Sequence, residues 1–245
     1  LFNLNFQYLS AERIAPKSSY EMSEYHIQDL NSLGNHGEYT AHYICSKGQD
    51  DLSIAALRHE KSNTSKLLEN LNLWMSELSP GINIYAIARP DFGSVSLGFS
   101  FKQGKEATER FKPQNVGFGI TYVLPVVTAI LRSKPGDMLI MENPESHLHP
   151  AGQAMLGKLC AIAAQNNVQI FIETHSDHFL NGVRVAVKHK LISHDFIKLF
   201  FLHRDQECKN HASSVQSPEI DENGRLNKWP NGFFNEWDKQ LELLI

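Results

Sequence analysis

Two clusters of side chains in this sequence are suited to chemistry. The first lies in 137–153 (DMLIMENPESHLHPAGQ), where four apolar residues run into Glu142, Asn143, Glu145, His147 and His149, between Pro144 and Pro150. The second follows the apolar run 168–173 (VQIFIE) and holds Thr174, His175, Ser176, Asp177 and His178. Carboxylate, amide, hydroxyl and imidazole groups together can hold a metal ion and the oxygens of a polar ligand. Both clusters sit just past a short apolar run bounded by turn residues, the pattern of a buried strand. If the two strands are parallel neighbours, Glu142-Asn143 stands beside Thr174-His175-Ser176-Asp177. That carboxyl edge is where open α/β sheets bind ligands.

The elements that must position these groups follow from the pattern. The spacing predicts strands over 137–142, 168–173 and 196–202 (FIKLFFL), with helices over 151–164 and 178–189 between them. Strands alternating with helices of this length imply βαβ units, a parallel sheet and right-handed crossovers. At the start, Phe2, Leu4, Phe6 and Tyr8 alternate with polar residues, which predicts a half-buried strand with the even positions inward. A turn signal occupies 31–37 (NSLGNHG), and 51–78 carries helical material ended by Pro80-Gly81, so residues 30–80 read as a helical lobe. Residues 82–101 read as strands around the turn Pro90-Asp91-Phe92-Gly93. Asn115-Val116-Gly117-Phe118-Gly119 then opens a buried helix that Pro125 is expected to kink. Asn223-Gly224 suggests a hairpin, and Phe233, Trp237, Leu241 and Leu244 fall on one face of a terminal helix.

Bulk properties bound the function. A length of 245 residues with 42% hydrophobic and 20% charged residues is enough for a buried core. A net charge of −4 argues against a broadly basic nucleic-acid surface. Lys102, Lys105, Arg110 and Lys112 are diluted by Glu106 and Glu109 and read as a solvated face. Nucleic acid is thus a possible partner that nothing in the sequence makes evident. Cys45, Cys160 and Cys208 show no CxxC spacing and suit a reducing cytoplasm. The apolar stretch 120–131 is too short to span a bilayer, and no secretion signal opens the chain. The start at Leu1, directly in strand-like alternation, reads as a truncation.

The combination ENPESHLHP (142–150) followed by ETHSDH (173–178) resembles the nucleotide-binding domain of ABC-type ATPases. More narrowly, it resembles the SMC, RecF and OLD-like group of bacterial AAA ATPases of the type carrying a DUF3696 C-terminal segment. The resemblance runs from YLSAER (8–13) to WPNGFFNEWDKQLELL (229–244). It implies an α/β P-loop NTPase fold, a parallel sheet flanked by helices with a helical lobe, forming one ATPase domain over 1–245. Within it, 114–205 would carry the signature, Walker B, D-loop and switch-histidine core, and 206–245 the DUF3696-like segment. The implied cofactors are ATP and Mg²⁺. Glu142 would be the Walker B carboxylate and metal ligand, and Asn143 would stand where many relatives carry the glutamate that activates water. Residues 144–149, including Glu145 and His149, would form the D-loop at a dimer interface. His175 would be the switch histidine beside Thr174, and Asn115, Gly117 and Gly119 would form the signature, which reaches nucleotide on the other subunit. A homodimer closed around ATP, a role in DNA repair or phage defence and a separate effector or nuclease subunit are further implications.

The sequence departs from the pattern in two ways. No GxxxxGK[ST] occurs, so the loop that cradles the β- and γ-phosphates is not in this chain, and these residues alone should bind ATP poorly. Asn143 cannot act as a general base, so either Glu145 or His175 helps position water, or ATP binding itself is the switch. Read from the residues alone, two other functions stay open. One is a metal-dependent hydrolase using His147, His149, His175, Asp177 and His178. The other is a non-catalytic, partner-binding module.

Overall fold

Three short strands build the sheet beneath the two clusters. In the computed structural model, which describes residues 6–104, 106–204, 212–234 and 236–244, β1 (Phe6–Leu9) is followed by β2 (Tyr20–Glu21), α1 (Thr40–Lys47) and α2 (Leu67–Leu78). Next come β3 (Ile82–Arg89), β4 (Ser94–Gln103), β5 (Glu106–Ala107) and α3 (Phe118–Leu131). The second half runs β6 (Met138–Glu142), α4 (Pro150–Gln165), β7 (Gln169–Glu173) and α5 (Asp177–Lys188), then β8 (Phe201–Arg204), β9 (Ser213–Gln216) and α6 (Glu236–Glu242). A parallel sheet has the order β1-β6-β7, and an antiparallel sheet the order β2-β4-β3 with β5 on β4. The β6-α4-β7 unit is the βαβ crossover expected from the sequence.

In β6 the odd positions Leu139 and Met141 point into the core, packed with Leu9, Val123, Val127 and Leu156. The even positions face the other way and are only half-buried. The same division runs across the sheet, leaving Phe6 51% and Phe171 48% exposed on the second face. This reverses the expectation for β1, where the even, apolar positions were to be inward. Gln7 and Leu9 are the buried pair, at 2% and 0% exposure. Burial of Gln7 is tolerated because its amide is satisfied. Its nitrogen donates to Gly34 O at 2.8 Å, and its oxygen accepts from Leu33 N at 2.8 Å and Arg132 at 2.9 Å.

The run 196–202 is not a further strand of the parallel sheet. His194–Phe196 is a single 3₁₀ turn, and β8 pairs antiparallel with β9. Apolar alternation predicts extended backbone but does not choose its partner. Here the choice falls on the nearby 213–216 segment, leaving Phe196, Phe200 and Leu202 more than 60% exposed. The terminal helix also differs from the expected amphipathic face. Phe233 is buried ahead of α6, against Phe201, while Leu241 and Leu244 are exposed. The side chain of Trp237 lies outside the described residues, as do Lys105, Cys208 and residues 1–5.

Within 30–80, α2 buries Leu67, Leu71, Trp74 and Met75, whose spacing makes one helical face. With α1 it packs on the hairpin β3–β4 and against α3. The hairpin turns at Pro90–Phe92 and Gly93, as the sequence indicates. α3 runs through Pro125, which is fully embedded with Val123, Leu124, Val126 and Val127. The α4 and α5 helices cross on glycines. A Cβ on Gly157 would lie 2.3 Å from Phe179 O, and one on Gly182 would lie 2.1 Å from Ala154 O. Only hydrogen fits at either position, so the two backbones meet directly.

Candidate nucleotide and metal site

The carboxyl ends of β6 and β7 lie side by side, with Glu142 and Glu173 in register. The Asn143 N–H continues the ladder by donating to Glu173 O at 2.9 Å, and also reaches a Glu173 carboxylate oxygen at 3.2 Å. Asn143 itself is left-handed, with φ 43°, so the chain turns sharply off the strand into Pro144. An Asn at that position costs less than most residues would.

Glu142 is held at both oxygens. Its Oε1 accepts from the Tyr8 hydroxyl at 2.8 Å and its Oε2 from the Ala11 N–H at 2.9 Å. The backbone bond from Ala11, then the Tyr8 bond, and then the Arg13 charge keep this carboxyl below the usual carboxylate range. The same bond to Glu142 pushes the Tyr8 phenol up. Arg13 donates to the main-chain carbonyl oxygens of Glu142, at 2.6 Å, and Asn143, at 3.2 Å. It stacks over the Tyr122 ring at 4.7 Å, and the Tyr122 hydroxyl donates to Ala11 O. Burial draws the guanidinium's pKa down, against the charges of Glu145 and Glu142.

Glu145 turns inward and is 6% exposed. Its Oε1 accepts from the Thr174 hydroxyl at 2.7 Å and the His175 N–H at 3.2 Å, tying the loop after β6 to the turn after β7. His175 points outward, its side chain 84% exposed, with Nε2 3.0 Å from Glu173. Ser176 caps α5 by accepting from Phe179 N at 2.9 Å. His149 caps α4, accepting from Ala151 N through its ring nitrogen at 3.4 Å. His147, left-handed at φ 65°, sets its ring edge-on to Phe118 at 4.8 Å and Tyr122 at 4.9 Å. Asp177 and His178 pair with each other at 3.7 Å.

The start of α3 meets this loop. Gly117 is exposed at the N-cap position, with open space around it, and Asn115 is exposed in the turn before it. Gly119 has a different place, since a Cβ there would come within 2.5 Å of His147 O. The helix therefore offers free N–H groups at Gly117, suited to an anion, while Gly119 packs on the 143–149 loop.

The structure thus brings together Glu142, Asn143, Glu145, Thr174 and His175. It does not assemble the five groups of the hydrolase alternative. His147 sits among aromatic rings, His149 caps a helix, His175 pairs with Glu173, and His178 pairs with Asp177. Among the described residues no group of three or more His, Cys, Asp or Glu is placed to hold a metal ion. A Mg²⁺ ion needs less, since one or two carboxylates with phosphate oxygens and water suffice. Glu142 fits that role, because each of its oxygens accepts one hydrogen bond and keeps a second lone pair. Tyr8 and Ala11 were not visible as site residues. In the sequence Arg13 is a lone charge just past the first strand, a pattern open to nucleotide, partner or ion pair.

Comparisons with known proteins identify the family. Residues 11–181 match the family model "AAA domain, putative AbiEii toxin, Type IV TA system", and residues 192–244 match "Protein of unknown function (DUF3696)". No curated protein matches. Among solved structures, the chain is similar to one described under ATP-driven dimerization and DNA-stimulated activation of SMC ATPases. That match has 14% identity and a TM-score of 0.44, over 71% of this chain and 90% of that one. A second is an Smc head bound to the C-winged helix domain of ScpA, with 16% identity and a TM-score of 0.44, over 63% of this chain and 43% of that one. A third is the Smc head of Pyrococcus furiosus with an extended coiled coil, with 16% identity and a TM-score of 0.41, over 72% of this chain and 37% of that one. Among the described residues no helix is long and apolar enough to cross a membrane.

Proposed function

Because the chain belongs to the AbiEii-like AAA-domain family, we propose that it carries the Walker B and switch half of a Mg·ATP site at the carboxyl edge of the β1–β6–β7 sheet. The observation that supports this best is the register of Glu142 with Glu173, with Glu142 kept ionised by Ala11 and Tyr8. An ionised carboxylate beside a solvent-facing imidazole is what a phosphate-bound divalent cation and a γ-phosphate require. Bound Mg²⁺ would neutralise charge developing on the phosphates. Glu142 is its protein ligand in this reading, and His175 is the group facing the terminal phosphate.

Asn143 offers an amide at the position of the usual base, so it can orient water but cannot take its proton. Glu145 is turned away from solvent, and its work is to hold the Thr174–His175 turn. His175 and the Glu173 carboxylate paired with it at 3.0 Å are then the groups at this edge able to accept a proton. Slow hydrolysis with ATP acting as a clamp follows from that arrangement. The exposed Gly117 N–H end of α3, with Asn115, faces a second subunit's nucleotide, so ATP closes a homodimer and hydrolysis opens it. The phosphate-cradling loop must come from outside these 245 residues. The toxin named in the family description favours a defence role, against phage, over DNA repair; a cytoplasmic setting and a separate effector or nuclease subunit complete the reading.

The test is Mg·ATP turnover and ATP-dependent dimerisation by the full-length protein beside Glu142→Gln. The expected result is a loss of turnover of at least 100-fold on the order of other single-group deletions in charge-stabilising sites. A protein that neither binds nor hydrolyses ATP would end this reading.

A further inference from the structure

We infer that Arg13 is a positioning residue for this site, extending the parallel sheet by one side chain where its strand runs out. The inference rests on the ATPase reading for its functional half only. β1 ends in register at Leu9 with Met141. The carbonyls of Glu142 and Asn143 therefore lie one and two steps beyond the last β1 partner. Both accept instead from the forked guanidinium of Arg13. A planar fork presents two fixed N–H groups to two successive carbonyls, a geometry that the freely rotating ammonium of a lysine does not reproduce.

The side chain is built in rather than laid on. Arg13 is 5% exposed and seated on Tyr122, whose hydroxyl returns to Ala11 O. Tyr122 in turn abuts the His147 ring. Arg13 thus clamps the left-handed turn at Asn143 from the β1 side, while the ladder bond to Glu173 clamps it from the β7 side. What this turn controls is the direction in which Glu142 and Asn143 leave the sheet. An ångström of misplacement in a reacting constellation costs about 100-fold in rate. Arg13 touches no reacting atom in this account. It acts through the backbone it holds.

The experiment compares full-length wild type with Arg13→Lys and Arg13→Met, reading kcat and KM for ATP together with hydrogen exchange at the amides of 143–149. The expected result is a fall in kcat of about tenfold or more in both variants, with KM within about twofold, since the loss is of geometry rather than of ground-state binding. Exchange at 143–149 should rise while α4 and α5 keep their protection. Wild-type kcat in Arg13→Lys would show that charge alone suffices and would overturn the inference, as would unchanged exchange in both variants. If wild type shows neither turnover nor ATP-dependent dimerisation, the ATPase reading fails first, and exchange alone decides whether Arg13 holds the turn. Should Arg13→Met fail to fold, Arg13→Lys carries the same comparison.

Discussion

Gly117 and Gly119 stand two residues apart at the start of α3, and the structure gives them opposite sensitivities. An alanine at Gly119 would place its Cβ 2.5 Å from His147 O, against the 3.4 Å at which ordinary contact begins, so the loop or the helix must yield by about 0.9 Å. The obstacle is backbone, and it is pinned by the His147 ring between Phe118 and Tyr122. Overpacking of this kind costs about 1–3 kcal/mol. The helix preference of Ala over Gly returns at most about 1 kcal/mol and less than that in the first turn. With about 0.5 kcal/mol returned, the net is a destabilisation of about 0.5–2.5 kcal/mol, or a Tm lower by about 1–10 °C for a protein of this size. Gly117 has nothing within 4 Å of the same position and an ordinary φ of −56°. The unfolded-state gain of Gly→Ala and the weaker N-cap roughly cancel there, so its melting should stay within about 0.5 kcal/mol of wild type. If Gly117 faces a partner's nucleotide, Gly117→Ala should nonetheless lose ATP-dependent dimerisation. Thermal melts and sedimentation of the full-length variants read both quantities. Gly119→Ala melting with wild type, or Gly117→Ala melting with Gly119→Ala, would refute the reasoning.

Other consequences are as direct. Tyr8→Phe removes one of two donors to Glu142 and should lower the urea midpoint of unfolding. The folded pKa of Glu142 is depressed, so its contribution is full above its unfolded pKa and is lost as pH falls through the folded value. In Tyr8→Phe that loss should be smaller and complete at a higher pH, and an unchanged acid limb would contradict the bond. Gly182→Ala drives a Cβ to 2.1 Å from Ala154 O with only backbone to yield, so it should destabilise by about 3 kcal/mol, and a urea midpoint equal to wild type would deny the close crossing. Glu145→Gln keeps an acceptor for the Thr174 hydroxyl and His175 N–H, and should retain most turnover. Glu145→Ala strands both donors and should lose about 2 kcal/mol of stability along with activity. Equal inactivity of the two variants, with Glu145→Gln fully stable, would instead make Glu145 the base.

The part of the site that could be read from sequence is the part governed by local pattern. An apolar run ending in Glu142-Asn143 and another ending before Thr174 have one simple arrangement once the helix between them is recognised. Parallel pairing then puts the two ends together. What escaped reading depends on partners distant in the chain. That Gln7 and not Phe6 is buried follows from Leu33, Gly34 and Arg132 meeting its amide, which no alternation rule contains. The run 196–202 looked like any parallel strand, because periodicity describes backbone extension and is silent on which edge is nearest. The histidines at 147 and 149 resembled a metal pair because spacing alone carries no rotamer. One turn of left-handed backbone at His147 is enough to send its ring into the aromatic rings of α3.

The separation along the chain of the groups that meet at Glu142 bears on how the protein is made. Asn143 and its β7 partner Glu173 are 30 positions apart, joined by one helix, whereas Tyr8 and Glu142 are 134 apart. Closing the longer loop costs about 1 kcal/mol more entropy and waits on everything between. During synthesis at about 5–20 residues per second, the first strand leaves the ribosome on the order of ten seconds before its pairing strand exists. The β6-α4-β7 unit can form as soon as it emerges, but its leading carboxylate then lacks the phenol, the amide and the guanidinium that Tyr8, Ala11 and Arg13 supply. A nascent chain would carry a sheet edge of the right shape whose carboxylate lacks those partners, and it would gain its chemistry only when residues 8–13, made well before it, dock on it.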